Sequence, residues 1–141
     1  VYDKYLQKTD FPVIKGENQA LLSVSDALIL ASGTVALEAC LYQTPMIIAY
    51  RGPWLFYLIY LIVRCIKRVS LPNIIADKSI VPEIIQGDVN VSKISYEIEK
   101  LLYDNDYRQQ NIEDLGDVKA LLSDKVSSEE VAKVIDSSLR A

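Results

Sequence analysis

Histidine does not occur among the 141 residues. That single absence removes Ser-His and Cys-His nucleophile pairs, imidazole general bases and imidazole metal ligands together. Any chemistry must therefore use carboxylates, lysine, tyrosine or backbone groups. Cysteine is nearly absent as well. Cys40 and Cys65 lie far apart in apolar helical surroundings, with no C-x-x-C spacing, so neither a redox pair nor a zinc site is expected. Both read as reduced, small core residues, which favours a cytoplasmic address. No metal and no cofactor is expected. A basic excess is lacking too: 15 Lys and Arg stand against 19 Asp and Glu, a net charge of −4. Such a chain has no electrostatic footprint for nucleic acid along a whole face, and no nucleic-acid partner is expected. Missing also are an initiator Met, a signal-peptide apolar segment and a cleavage motif. The start at Val1 reads as the boundary of a piece of something larger. There is no internal repeat, low-complexity tract or long linker.

What is present is apolar and ordered in a recognisable way. Half of the residues are hydrophobic, ample for a core at this length. From residue 11 to residue 86, short β-rich runs alternate with helical patterns: FPVI, NQALLSVS, ALILA, GTVALEACLYQ, PMIIAY, PWLFYLIYLIVRCI, RVSLPNIIA and VPEIIQG. Alternating units with continuous Ile, Leu, Val and Ala strands indicate a parallel sheet covered by helices on both faces. The expected fold class is α/β, doubly wound, with C-terminal helices. Residues 1–90 are expected to form the sheet domain. Residues 91–141 are expected to form a helical tail that packs on the domain or on a partner. In that tail VSKISYEIEKLLYD sets Ile94, Ile98, Leu101 and Leu102 on one helical stripe. The polar segment DYRQQNIEDLGDVKALL and then SSEEVAKVIDSSL, opened by Ser127 or Ser128 as N-cap, supply two further helices.

Ten successive apolar or aromatic residues run from Trp54 to Val63, and Arg64, Lys67 and Arg68 follow closely. At ~1.5 Å rise per residue such a helix covers about half of a ~30 Å hydrocarbon core, so it cannot span a bilayer. Three readings remain from the residues: a buried crossover helix, an interfacial patch with Trp54, Phe56, Tyr57 and Tyr60 at headgroup depth and the bases on anionic lipid, or a surface for a partner or a second copy.

The stretch that carries chemistry is SDALILASGTVALEACLYQTPMIIAYRGP, Ser25 to Pro53. In an open parallel sheet, ligands bind beyond the carboxyl ends of the strands. Ser32-Gly33-Thr34 falls there if Ala27 to Ala31 is a strand and a helix starts at Thr34. Gly33 then permits close backbone approach, and the first free N–H groups of the helix favour an anion, most naturally a phosphate. Ser32 or Thr34 would serve equally as a plain N-cap. Glu38 lies one turn beyond Thr34 on the same face, too far along to complete a capping box. A carboxylate behind a phosphate seat suits vicinal hydroxyls such as those of a ribose; as a solvated helix residue it needs no ligand at all. Further on, Pro72-Asn73 reads as a turn pair, and Pro82-Glu83 as the opening of a helix.

The series A-S-G-T-x-x-L-E, P-M-I-I-x-Y-R, S-L-P-N and V-P-E-x-x-Q, in this order and spacing, resembles the C-terminal half of the lipid-A-disaccharide synthases. The resemblance is strong over residues 25–86 and weak over the tail. It implies a glycosyltransferase B fold whose C-terminal, Rossmann-like half binds the UDP part of the donor. It implies that Ser32, Gly33 and Thr34 hold the diphosphate, that Glu38 holds the ribose, and that Arg51 lies beside the phosphates. Asn73 is implied to reach the nucleotide or its sugar, and Glu83 and Gln86 to line the same cleft. The donor would be a UDP-diacylglucosamine and the acceptor a diacylglucosamine 1-phosphate. Both are acylated, and the family's enzymes are peripheral membrane proteins, which favours interfacial contact through Trp54, Phe56, Tyr57, Tyr60, Arg64, Lys67 and Arg68. The resemblance places no catalytic residue in this chain: the base belongs to the family's N-terminal domain, and the glycine loop that opens its C-terminal domain is not in these residues either. The isolated chain is therefore expected to be inactive, to work with the N-terminal domain, or to pair its tail with a second copy as a homodimer. The expected address becomes the cytoplasmic face of the inner membrane. The alternatives are another UDP-sugar glycosyltransferase or epimerase of the same fold, and a non-catalytic membrane-binding or dimerisation module.

Overall fold

A computed structural model describes residues 11–53, 68–123 and 135–138. Three strands form one sheet in the order β1-β2-β3, with β1 at Leu28–Leu30, β2 at Met46–Tyr50 and β3 at Glu83–Ile85. Both pairings are parallel, Leu28 opposite Met46 and Leu30 opposite Ile48 on one side, Ile48 opposite Glu83 and Tyr50 opposite Ile85 on the other. The helices are α1 (Asn18–Val24), α2 (Val35–Tyr42), α3 (Leu71–Ile75), α4 (Val91–Tyr103) and α5 (Asn105–Ser123), with one turn of 3-10 helix at Gln86–Asp88. This is the α/β, parallel-sheet class that the alternating pattern indicated.

Side chains alternate across a strand, and β2 shows what each face meets. Met46 and Ile48 point into one core with Ala36, Ala39 and Cys40 of α2, Ile80, Val81, and Leu115 and Val118 of α5. Ile47 points the other way, to Ile84 and Leu101, with Ile94 and Ile98 of α4 packed around them. Residues 91–123 thus bury both faces of the sheet. Of the apolar stripe read from the sequence, Leu101 is fully buried while Leu102 is 38% exposed, since neighbouring helical positions cannot both face the sheet. The Asn90 side chain caps α4 by accepting the Lys93 N–H at 2.9 Å.

Helix α5 approaches α2 closely at Gly116, where an added Cβ would lie 2.8 Å from Nε2 of Gln43. Gln43 ends α2 in the left-handed region, at φ 54°. Lys78, in the turn after α3, reaches Asp114 of α5 as an ion pair. Burial pushes the Cys40 thiol up to about 12, so it is a neutral core group.

Three local expectations are corrected. FPVI forms no strand: residues 11–15 are irregular and exposed, and Pro12 lacks the N–H that a ladder uses. Pro72 and Asn73 lie inside α3 rather than in a turn, Pro72 being in its first turn where no intrahelical N–H is needed. Pro82-Glu83 does not open a helix: Glu83 begins β3, because Ile84 and Ile85 find a ladder partner in Ala49 and Tyr50. The apolar run 54–63 and the last expected helix, apart from residues 135–138, lie outside the described residues. So do Cys65, Trp54, Phe56, Tyr57, Tyr60, Arg64 and Lys67.

Candidate functional site

All three strands run the same way, so their carboxyl ends share one edge of the sheet. Three segments leave from that edge: Ala31 to Thr34 after β1, Arg51 to Pro53 after β2, and Gln86 to Asp88 after β3. Crevices at this edge are where open parallel sheets bind ligands. Gly33 has open space where a Cβ would stand, leaving its backbone approachable. The carbonyls of Gly33 and Thr34 accept the N–H groups of Ala36, Leu37 and Glu38, which starts α2 directly behind the loop. Thr34 makes no side-chain cap bond, and the Ser32 hydroxyl donates elsewhere, to the Val69 carbonyl at 3.1 Å. Neither hydroxyl does the work of a plain N-cap. Thr34 and Glu38 are exposed, Glu38 one turn into the helix behind the loop.

The Val69 carbonyl that receives Ser32 belongs to a segment held from below. One Glu83 oxygen accepts the Ser70 N–H at 2.8 Å, the Ser70 hydroxyl at 2.6 Å and an Asn73 amide hydrogen at 2.8 Å. The Val69 N–H is shared between the two oxygens, at 3.2 and 3.0 Å. Asn73 is 1% exposed and completes the lattice. Its oxygen accepts from Ile80 N–H at 2.8 Å and Val81 N–H at 2.9 Å, and its amide also donates to the Val81 carbonyl at 2.9 Å. All four of its hydrogen-bonding positions are used internally.

Of the residues singled out in the sequence, Ser32, Asn73 and Glu83 are therefore joined through Val69 and Ser70. Thr34, Glu38 and Arg51 are exposed, and Gly33 is half-buried with open space where a Cβ would stand. Gln86 leaves β3 at φ 55° and is half-buried. Ser70 was not legible as a site residue. Its only local signal was a hydroxyl ahead of Leu-Pro, the position of a helix cap, and its hydroxyl goes to Glu83 instead. Arg68 pairs with Asp77 at 2.5 Å. A cavity of about 420 Å³ lies against the approach to β3, lined by Asn73, Glu83, Glu97, Tyr107 and Asn111 among others. Ser32, Gly33, Thr34, Glu38 and Arg51 do not line it.

Burial alone would raise the Glu83 pKa. The hydrogen bonds from the Ser70 hydroxyl and N–H, the Val69 N–H and Asn73 outweigh it and hold the carboxyl below the ordinary glutamate value of 4.5. A depressed folded-state value contributes stability that is present above the unfolded-state value and is lost as pH falls through the folded one. Urea midpoints should therefore drop below about pH 4.5, and Glu83→Gln should flatten that acid limb. An unchanged acid limb in the variant would show that Glu83 is not the group responsible.

The sequence model of the lipid-A-disaccharide synthetase family matches residues 1–136. The chain belongs to this family. Curated lipid-A-disaccharide synthases that it matches include that of Anaeromyxobacter dehalogenans strain 2CP-1, 35% identical over 123 residues, covering 87% of this chain and 32% of the relative. That of Hydrogenovibrio crunogenus is 39% identical over 105 residues, 74% of this chain and 28% of the relative. That of Psychromonas ingrahamii is 38% identical over 108 residues, 77% of this chain and 28% of the relative. The chain spans about a third of the length of the synthases it matches. Among the described residues no helix is long and apolar enough to cross a membrane.

Proposed function

We propose that this chain is the donor-binding portion of a hexosyltransferase that makes lipid A disaccharide from UDP-2,3-diacylglucosamine and 2,3-diacylglucosamine 1-phosphate. The observation that carries this reading is the Ser32-Gly33-Thr34 loop. It opens at the carboxyl edge of a parallel sheet, with its hydroxyl anchored, its glycine uncovered and a helix starting behind it. Such a loop suits the diphosphate of UDP, whose charge is favoured by the positive end of α2. Glu38 takes the two ribose hydroxyls, and Arg51 adds positive charge where the leaving group departs. In an inverting transfer a carboxylate takes the proton of the acceptor 6-hydroxyl, which attacks the anomeric carbon as UDP leaves. These residues serve the leaving group, and the base is supplied by another part of the full-length enzyme.

Asn73 enters this reading as a support, since its hydrogen bonds are spent inside the fold, and so does Glu83, one of whose oxygens is taken up by Ser70 and Asn73. Arg68 belongs to a contact with anionic headgroups on the cytoplasmic face of the membrane, together with the run from Trp54 to Lys67. The acyl chains of both substrates give such a contact its purpose.

Titration calorimetry with UDP and with ADP tests the nucleotide reading. UDP is expected to bind in preference to ADP, and Glu38→Ala to weaken UDP about tenfold or more, the worth of one or two charge-assisted bonds. Equal binding of both nucleotides would overturn the preference for uridine, and an unaffected variant would overturn the ribose role of Glu38. In the same preparation, Trp54→Ser with Phe56→Ser should abolish co-sedimentation with anionic vesicles; a folded variant that still sediments would sink the membrane reading.

A further inference from the structure

We propose that Glu83 is a positioning residue for the anion loop: from β3 it holds the Val69-Ser70 backbone, and through the Val69 carbonyl it sets the place of the Ser32 hydroxyl. The proposal rests on the nucleotide reading above and changes the part that Glu83 plays in it. Glu83 was expected to line the donor cleft. The geometry assigns it to the protein instead. Four donor groups converge on it, namely the Val69 and Ser70 N–H groups, the Ser70 hydroxyl and the Asn73 amide. One oxygen alone takes three contacts of 2.6 to 2.8 Å, which exceeds the two lone pairs it offers a sugar hydroxyl.

The clamp has a reason to be where it is. Glu83 stands in register with Ile48 of the central strand β2, so its backbone is fixed by the ladder. The loop it serves has no such support. Among the described residues, the Ser32 bond to Val69 is the one side-chain hydrogen bond made by residues 31–34. The chain of contacts therefore runs from a rigid strand, through a carboxylate and two backbone amides, to the hydroxyl at the mouth of the proposed diphosphate seat. Preorganised donors hold an anion better than donors that must be ordered on binding. Loss of Glu83 should then act on the phosphates and not on the nucleoside.

The test uses the 141-residue chain and the variants Glu83→Gln, Ser70→Ala, Ser32→Ala and the double variant Ser32→Ala with Glu83→Gln. Amide exchange without ligand comes first. Glu83→Gln is expected to speed exchange at Ala36, Leu37 and Glu38, whose N–H groups bond to Gly33 and Thr34, while Ile47 and Ile48 stay protected. Calorimetry follows. Glu83→Gln is expected to weaken UDP about tenfold, the worth of a lost charged hydrogen bond, and to leave uridine unchanged. The double variant should be no weaker than the worse single one, because both act through one contact. Unchanged exchange at Ala36 to Glu38 overturns the proposal. So does an additive double variant, or an equal loss for uridine, which would make Glu83 a direct ligand of the nucleoside. If Glu83→Gln does not fold, Ser70→Ala removes one of the four donors and must move the same signals in the same direction by less; no movement counts against the clamp. If the unaltered chain binds neither UDP nor uridine, the nucleotide reading fails, and the exchange measurement still decides the clamp.

Discussion

Replacing Asn73 with alanine is expected to lower the stability of the chain by about 3–5 kcal/mol, among the larger effects a single substitution produces. The side chain is almost wholly buried, at 1% exposure. Four hydrogen bonds leave with it, to the N–H groups of Ile80 and Val81, the carbonyl of Val81 and the carboxylate of Glu83. A buried polar group left without a partner costs about 1–3 kcal/mol, and the four are close enough to relax together, so the sum is discounted. The total is a large share of the ~5–15 kcal/mol typical of a domain. Urea unfolding followed by circular dichroism measures it, provided the slope is unchanged. A loss below about 1 kcal/mol would mean that water takes the place of the amide. Asn73→Asp separates donor from acceptor: it keeps the bonds from Ile80 and Val81 but sets a second carboxylate against Glu83. Its penalty should be greatest at neutral pH and relieved once the pair takes up a proton.

Leu115→Ala should cost about 3–5 kcal/mol, in the upper part of the range for buried leucine. Leu115 is 0% exposed and packs with Ala36, Ala39, Cys40, Met46, Ile48 and Val118. The residues facing it from α2 are small, so they cannot lean into the space it leaves, and a cavity that cannot collapse carries the larger cost. Leu121→Ala on the same helix, at 57% exposure, is the control and should change stability by less than about 0.5 kcal/mol. Equal effects of the two would mean that α5 does not hold the sheet. The expected contrast makes the helix after residue 104 a part of the core that carries the site, because the same cluster seats α2 behind the Ser32-Gly33-Thr34 loop.

How far the site was legible differs from residue to residue. Ser32-Gly33-Thr34 could be found because its signal is local: an apolar run, a break at Gly33 and an apolar helix, all within a few residues. Glu38 followed from the helical repeat. Asn73 and Glu83 were singled out for a nucleotide cleft, whereas the structure gives them partners within the fold, since neither the depth of a side chain nor the identity of its partners is written in its own segment. Ser70 was quoted within S-L-P-N but given no role, because its partner Glu83 lies 13 positions further on.

The sequence by itself determined that the chain is α/β with parallel strands, that LIL and MIIAY are two of those strands, and that a Ser-Gly-Thr loop with a carboxylate one turn behind it lies where the first strand meets its helix. These follow from side-chain periodicity and backbone preference, which act over a few residues. Only the tertiary structure decided that EII is a strand, that Ser32 is tied to Val69 across 37 positions, that Asn73 is wholly interior, and that Leu101 and Leu115 close the two faces of the sheet. A run as short as three residues becomes a strand when a neighbouring strand offers it hydrogen bonds, and a buried polar group takes whichever partners the fold brings near. Both depend on contacts between distant segments, which exist only once the chain has folded.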